Sequence, residues 1–351
     1  MTANDRSTGM PAEQASRQDL LLAIERLQVT LPPRRRGEAR RTVIHDVSMQ
    51  IAPGESLGVV GESGSGKSMT TRAVMRLLPQ GASMTGRLDF DGQDVMGMSR
   101  RELSAYRGSQ VGMIYQDPRA HTNPLRTLGD FLIEGVTLSG QMRRTEAEEL
   151  ACDLLRQVGV GDAGHRIRQY PHQLSGGLLQ RVMIVMALMP SPRLVLADEP
   201  TTALDVTIQS EVMAILGEQI RERQCGLMFI THDLDLAAAV TDSLAVMYAG
   251  VVVETGPSDN LYSSPRHPYT AGLLASRPHS ERVERPTAIP GRPLSAFEAG
   301  PGCVFASRCP FATQQCHEQR PALREVDGRN VACHRVEEFG ADLTYQFKEA
   351  Q

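Results

Sequence analysis

The chain has 351 residues, of which 41% are hydrophobic and 4% aromatic, with no Trp and a formal net charge of −4. That is long for one domain, short for two large ones, and apolar enough for a sizeable core. Few rings and mild acidity exclude a stacking platform or a basic footprint for nucleic acid, and no nucleic-acid partner is expected.

No apolar run reaches bilayer length. The greasiest stretches, 182–190 and 244–253, read as buried helix or strand, and the N-terminus lacks an apolar signal core. The expectation is a cytoplasmic chain that meets a membrane only through partners. Residues 1–19 are polar and read as a disordered tail. A strand over 20–31 leads into a loop at 32–41 carrying five arginines and two prolines. Alternation over 43–51 predicts a half-buried strand, and Ser56–Val60 a buried one.

Gly61-Glu62-Ser63-Gly64-Ser65-Gly66-Lys67-Ser68 follows that strand and precedes a helix expected over 68–78. This is the phosphate-loop pattern in its confirming context. Glycines let several N–H groups turn toward one phosphate, and the helix N-terminus adds positive partial charge. Lys67 supplies a full charge, and the Ser68 hydroxyl suits Mg²⁺, a hard cation. Gly61, Ser63, Gly64, Ser65, Gly66, Lys67, Ser68 and Met69 are the expected nucleotide-binding residues.

Further strands are expected at 86–90 and 111–115. Residues 118–190 read as helical, with a capping box at Thr145 and Glu148 and one apolar face at Leu150, Leu154 and Val158. The apolar strand 194–197 ends in Asp198-Glu199. Asp198 is suited to Mg²⁺, and Glu199 to polarising an attacking water, because phosphoryl transfer rests on positioning and charge neutralisation. A helix over Val206–Arg223 precedes another apolar strand, 227–230, which ends in Thr231-His232-Asp233. His232 is assigned to sensing the γ-phosphate. A last strand is read at 244–248. Strands alternating with helices predict a mainly parallel sheet. Cys152 and Cys225, alone in apolar surroundings, read as buried free thiols.

Leu174-Ser175-Gly176-Gly177-Leu178-Leu179-Gln180-Arg181 resembles the signature of the ABC ATPase family. Tyr115-Gln116-Asp117-Pro118 resembles its Q-loop, Thr202-Ala203-Leu204-Asp205 its D-loop, and His232 its switch histidine. All stand in family order, over roughly residues 20–265. The resemblance implies an α/β P-loop (RecA-like) core with an antiparallel β subdomain and an α-helical subdomain. It also implies ATP and Mg²⁺ as cofactors, with Glu199, His232, Gln116 and Lys67 catalytic and Mg²⁺ held by Ser68, Gln116 and Asp198. Ser175, Gly176, Gly177 and Gln180 would meet ATP bound by a partner ATPase, with Asp205 in the D-loop. The segment 117–128 would dock on a permease. The family usually stacks adenine on a ring at the end of the first strand, but Leu31 stands there. No Phe, Tyr or Trp precedes Phe90, and His45 is the only ring nearby. Loose base recognition is the expectation.

His267-Pro268-Tyr269-Thr270, Pro301-Gly302-Cys303, Ser307-Arg308-Cys309-Pro310, Cys316 and Cys333 resemble the C-terminal extension of oligopeptide/dipeptide importer ATPases. The expected domains are therefore a nucleotide-binding domain at 20–264, with its helical subdomain at 118–190, an extension at 265–338 and a tail at 339–351. Cys303, Cys309, Cys316 and Cys333 suit a [4Fe–4S] cluster, with zinc or four packed thiols as alternatives. The implied function is energising a bacterial importer of peptides, or of nickel chelates or other small solutes. The implied partners are a second, different ATPase, two permeases and an extracytoplasmic binding protein. A non-transport ABC ATPase and a redox-sensing regulator are the alternatives.

Overall fold

The computed structural model describes residues 19–35, 37–201, 206–277, 287–340 and 342–350. The order begins β1 (Leu22–Leu31), β2 (Arg41–Ile51), β3 (Ser56–Val60), α1 (Lys67–Val74), β4 (Ser83–Phe90), β5 (Gln93–Asp94), α2 (Arg100–Ala105) and β6 (Val111–Ile114). Helices α3 (Leu128–Leu138), α4 (Arg144–Gln157), α5 (Ala163–Arg166) and α6 (Gly176–Leu188) then separate β6 from β7 (Leu194–Asp198). Next come α7 (Val206–Arg223), β8 (Gly226–Thr231), α8 (Leu234–Val240), β9 (Ser243–Tyr248) and β10 (Val251–Pro257). The chain closes with α9 (Ser258–Ser263), α10 (Pro268–Ala275), α11 (Gln314–Glu318), β11 (Arg324–Val326), β12 (Arg329–Val331) and α12 (Leu343–Glu349).

Two sheets form. One is antiparallel, in the order β2-β1-β4-β5; the other has eight strands, in the order β11-β12-β10-β9-β3-β8-β7-β6. Strands β9, β3, β8, β7 and β6 run parallel. Alternate residues of each feed two cores. Leu194 and Leu196 pack with β1, β2 and β4, whereas Val195 and Ala197 pack with the helices. A strand covered on both faces needs a continuous apolar run, which is how these strands read in the sequence. The carboxyl ends of β3, β6, β7 and β8 therefore share one edge of the sheet, where ligands of such sheets bind. This is the α/β class expected.

Several local expectations need correction. Helix α1 stops at Val74 because Met75 caps it and Arg76 turns to φ 50°, shortly before Pro79. Helix α4 begins upstream of the expected capping box. The Glu146 carboxylate accepts the Arg143 N–H at 3.1 Å, while Glu148 instead accepts from Arg144 Nε at 2.8 Å. The segment expected as a C-terminal tail folds into α12, which buries Leu343 and Phe347 against α10. Within the segment expected as an extension, β12 pairs with β10 and so lengthens the main sheet. Residues 1–18 and 202–205, the expected disordered tail and the D-loop with Asp205, lie outside the described residues. Among the described residues, no helix is long and apolar enough to cross a membrane.

His267, at the N-cap of α10, is buried, and its Nδ1 accepts the Tyr269 N–H at 3.0 Å. Burial pushes its pKa down to about 3. The folded protein thus resists a proton that the unfolded chain takes up near pH 6.5. This contribution to stability is complete above about pH 6.5 and declines toward pH 3, by at most about 1.4 kcal/mol per unit. The urea midpoint is expected to fall between pH 7 and 4.5. In His267→Asn, which keeps a capping acceptor, that fall should be shallower; an unchanged slope would remove His267 from the account.

Candidate functional site

Beyond the end of β3 the phosphate loop curls tightly. A Cβ at Gly61 would lie 2.1 Å from the Met247 carbonyl oxygen, and Gly66 caps α1 at φ 103°. Lys67 is buried and donates to the carbonyls of Gly61 (2.7 Å) and Glu62 (3.0 Å). Burial lowers its pKa, a shift opposed by Glu199 and Asp198. Ser65 Oγ is buried without a hydrogen-bond partner among the described residues. An orphaned hydroxyl inside a ring of glycines fits a phosphate oxygen.

The neighbouring strand ends bring the other expected groups to this loop. At the end of β7, Asp198 Oδ1 accepts from Ser68 Oγ at 2.8 Å. Burial raises the Asp198 pKa, and the Ser68 hydrogen bond works against that rise. Glu199 adopts φ 45°, a left-handed conformation uncommon for a residue with a long side chain and found often at functional sites. Its N–H donates to the Ile230 carbonyl at 2.9 Å. Its Oε2 accepts from Gln116 Nε2 at 3.0 Å and lies 3.6 Å from His232 Nδ1. Ser68, Gln116 and Asp198 present hard oxygen donors of the kind Mg²⁺ takes, and Lys67 brings the compensating charge for phosphates.

Ser63, Gly64, Gly66, Lys67, Ser68, Met69, Gln116, Glu199 and His232 line one cavity of about 1050 Å³. The signature residues do not line it. Ser175 caps α6, accepting the Leu178 N–H at 3.4 Å; Ser175 and Gly176 are exposed. Gln180 was expected to face a partner's nucleotide, but it is buried within α6.

Comparison with known proteins bears directly on this geometry. A family profile described as "ABC transporter" matches residues 44–202. A second, "Oligopeptide/dipeptide transporter, C-terminal region", matches residues 253–316. The dipeptide transport ATP-binding protein DppD of Escherichia coli is 43% identical over 291 residues, spanning 82% of this chain and 89% of that protein. The chain belongs to the ABC transporter ATPases. The oligopeptide transport ATP-binding protein OppD of Salmonella typhimurium is 41% identical over 324 residues, 92% of this chain and 96% of its own. Among solved structures, the dimeric post-hydrolysis state of the ATP-binding cassette MJ0796 with ADP and Pi is similar, with a TM-score of 0.60 and 25% identity. That match covers 68% of this chain and 98% of the other. This ABC ATPase accordingly binds ATP with Mg²⁺ and hydrolyses it.

Sequence reasoning missed the residues that hold the phosphate loop from outside. Arg308, buried, donates from Nη1 to Glu62 Oε2 at 2.7 Å and from Nη2 to Glu62 Oε1 at 3.3 Å. Its Nε donates to the Pro290 carbonyl at 2.7 Å. The Glu62 N–H donates to Tyr269 Oη at 3.0 Å, and the Ala296 N–H to the Gly64 carbonyl at 3.4 Å. The C-terminal segment of this ABC ATPase therefore grips the loop at two of its variable positions. Both Tyr269 and Arg308 stand in stretches conspicuous in the sequence, but for proline and cysteine rather than for this contact.

The metal part of the cysteine expectation finds no support among the described residues. Cys303, Cys309, Cys316 and Cys333 do line one cavity, but it offers only about 20 Å³. Among the described residues, no group of three or more His, Cys, Asp or Glu side chains is arranged to hold a metal. Burial pushes the Cys309 and Cys333 thiols up to about 12. Neither the expected iron–sulfur centre nor zinc is supported by this arrangement.

Proposed function

We propose that the chain is the ATP-hydrolysing subunit of a bacterial importer whose cargo is peptides. What carries this reading is the relationship to peptide-transport ATP-binding proteins, which runs through the C-terminal region as well as the catalytic core. In this proposal Lys67 and the loop N–H groups bind the β- and γ-phosphates. Ser68, Gln116 and Asp198 would hold Mg²⁺, which neutralises phosphate charge. Glu199 accepts the proton of the attacking water, and His232 stabilises charge at the γ-phosphate. Ser175, Gly176 and Gly177, away from the chain's own cavity, serve a partner's nucleotide, with Asp205 in the D-loop. The functional units are the nucleotide-binding domain at 20–264 and the extension at 265–338.

The proposed assembly pairs this chain with a second, different ATPase on two permeases, with an extracytoplasmic binding protein, at the cytoplasmic face of the membrane. The permease would sit on the segment 117–128, which carries Leu125, 85% exposed. That exposure supports the docking role, because an apolar side chain so bare favours a partner. The test is a detergent pull-down of tagged Glu199→Gln with ATP, read by mass spectrometry. A second ATPase and two permeases are expected. Ribosomal or DNA-associated proteins, or no membrane partner, would replace this reading with a non-transport one.

The finer assignment of a [4Fe–4S] cluster, or of Zn²⁺, has in its favour only the gathering of four cysteines on one cavity. Metal and sulfide analysis of the chain purified without oxygen decides it. About four irons and four sulfides per chain would establish the cluster, one zinc would establish the alternative, and neither would leave four packed thiols.

A further inference from the structure

Besides the phosphate loop, the cavity is lined by Leu31, Arg41, Val43 and Phe297. Phe297 stands in a short turn, Ala296–Glu298, that follows α10 in the chain by more than twenty residues. The turn is firmly placed. His45 Nε2 lies 2.8 Å from the Ala296 carbonyl, and the Leu294 N–H donates to Tyr248 Oη at 3.0 Å. Glu298 accepts from Arg292 Nη1 at 2.9 Å and from the Ser295 N–H at 3.0 Å.

Within this anchored turn Phe297 is 50% exposed, and among the described residues it is the only aromatic ring other than His232 on the cavity wall. The Arg41 guanidinium lies over it, 5.9 Å from the ring centroid. Arg41 Nε is itself buried and has no hydrogen-bond partner among the described residues. An open ring on an anchored turn, an orphaned donor beside it and a phosphate loop on the same cavity are the complementary features of a nucleotide. The ring takes the π-face of a base, and the arginine takes a polar atom of base or sugar.

We propose that Phe297, with Arg41, is the platform on which the nucleotide base lies, supplied by the C-terminal segment in place of a ring on β1. This rests on the ATPase reading. Stacking tolerates any base, because every base has a π-face. The platform therefore gives affinity without discrimination, in keeping with the loose base recognition expected from Leu31.

Calorimetric titration of the full chain with ADP, GDP and tripolyphosphate tests it. Phe297→Ala is expected to weaken ADP and GDP alike by about tenfold or more, the range for losing one base–aromatic stack. Tripolyphosphate, which has no base, should bind as before, and Phe297→Tyr should bind ADP like the parent. Unchanged ADP affinity in Phe297→Ala overturns the proposal. So does an equal loss for tripolyphosphate, which would make the ring a mere prop for the loop. Failure of the parent chain to bind any of the three would instead sink the ATPase reading.

Discussion

Glu199→Gln is expected to lower ATP hydrolysis by about 100-fold or more while leaving nucleotide binding nearly intact, the scale for removing a positioned general base. The substitution keeps the volume of the side chain and its capacity to accept from Gln116 Nε2, now 3.0 Å away. It removes the charge and the ability to take a proton. Because Asp198, not Glu199, receives the Ser68 hydroxyl, the cation-binding face of the site stays in place. The backbone at Glu199 is held left-handed by its N–H bond to Ile230, so the amide should occupy the same spot. Steady-state phosphate release, measured beside ADP affinity, provides the check. A drop of less than about tenfold would move the proton acceptor elsewhere, with His232, 3.6 Å away, the first alternative.

The second large effect concerns stability. Arg329→Ala should cost about 3–5 kcal/mol, the range for stranding a buried charge. Glu254 has no exposed surface, and Arg329 is 7% exposed. Their closest approach is 3.7 Å, and Arg329 Nη1 also donates to the Ser264 carbonyl at 2.6 Å. Glu254 in turn accepts the backbone N–H groups of Arg266 (2.8 Å) and His267 (3.0 Å). Without the guanidinium this carboxylate keeps two donors and loses its counter-charge. Burial already raises its pKa. Removing Arg329 raises it further, so the charged form disfavours folding as pH climbs above the ordinary carboxylate range. The loss should therefore be smaller at pH 5 than at pH 8, and Glu254→Gln added to Arg329→Ala should return part of it. Urea unfolding measures both. A cost below about 1 kcal/mol would show that the two backbone donors suffice for Glu254.

The convergence of the strand ends on one edge was legible in the sequence because each strand is a short apolar run that stops at a polar or glycine-rich segment. Ser56–Val60 runs into the phosphate loop, Leu194–Asp198 into Glu199, and Gly226–Thr231 into His232. Period and punctuation carry that information locally. The outer grip on the loop was not legible. Arg308 and Glu62 are 246 residues apart, and nothing local marks an arginine that will be buried against a distant carboxylate. Phe297 was hidden for a related reason: it is 266 residues from Leu31 in the chain, and only the fold brings the two to one cavity. Helix α12 could have been found, since Leu343 and Phe347 repeat at helical spacing. The D-loop, read at 202–205, has no structural counterpart to set beside it among the described residues.

The clasp of Tyr269, Arg308 and Ala296 on the phosphate loop also has a meaning in time. During synthesis, domains fold as their residues leave the ribosome, at about 5–20 residues per second. A nascent chain that has emerged as far as β10 already contains the loop, the Asp198-Glu199 pair and His232, but not the residues that steady Glu62 and Gly64. Such a chain has its phosphate loop before it has the contacts that steady it. The restraint on Glu62 and Gly64 is consequently complete only after synthesis has passed Arg308, some fifty residues beyond the end of β10.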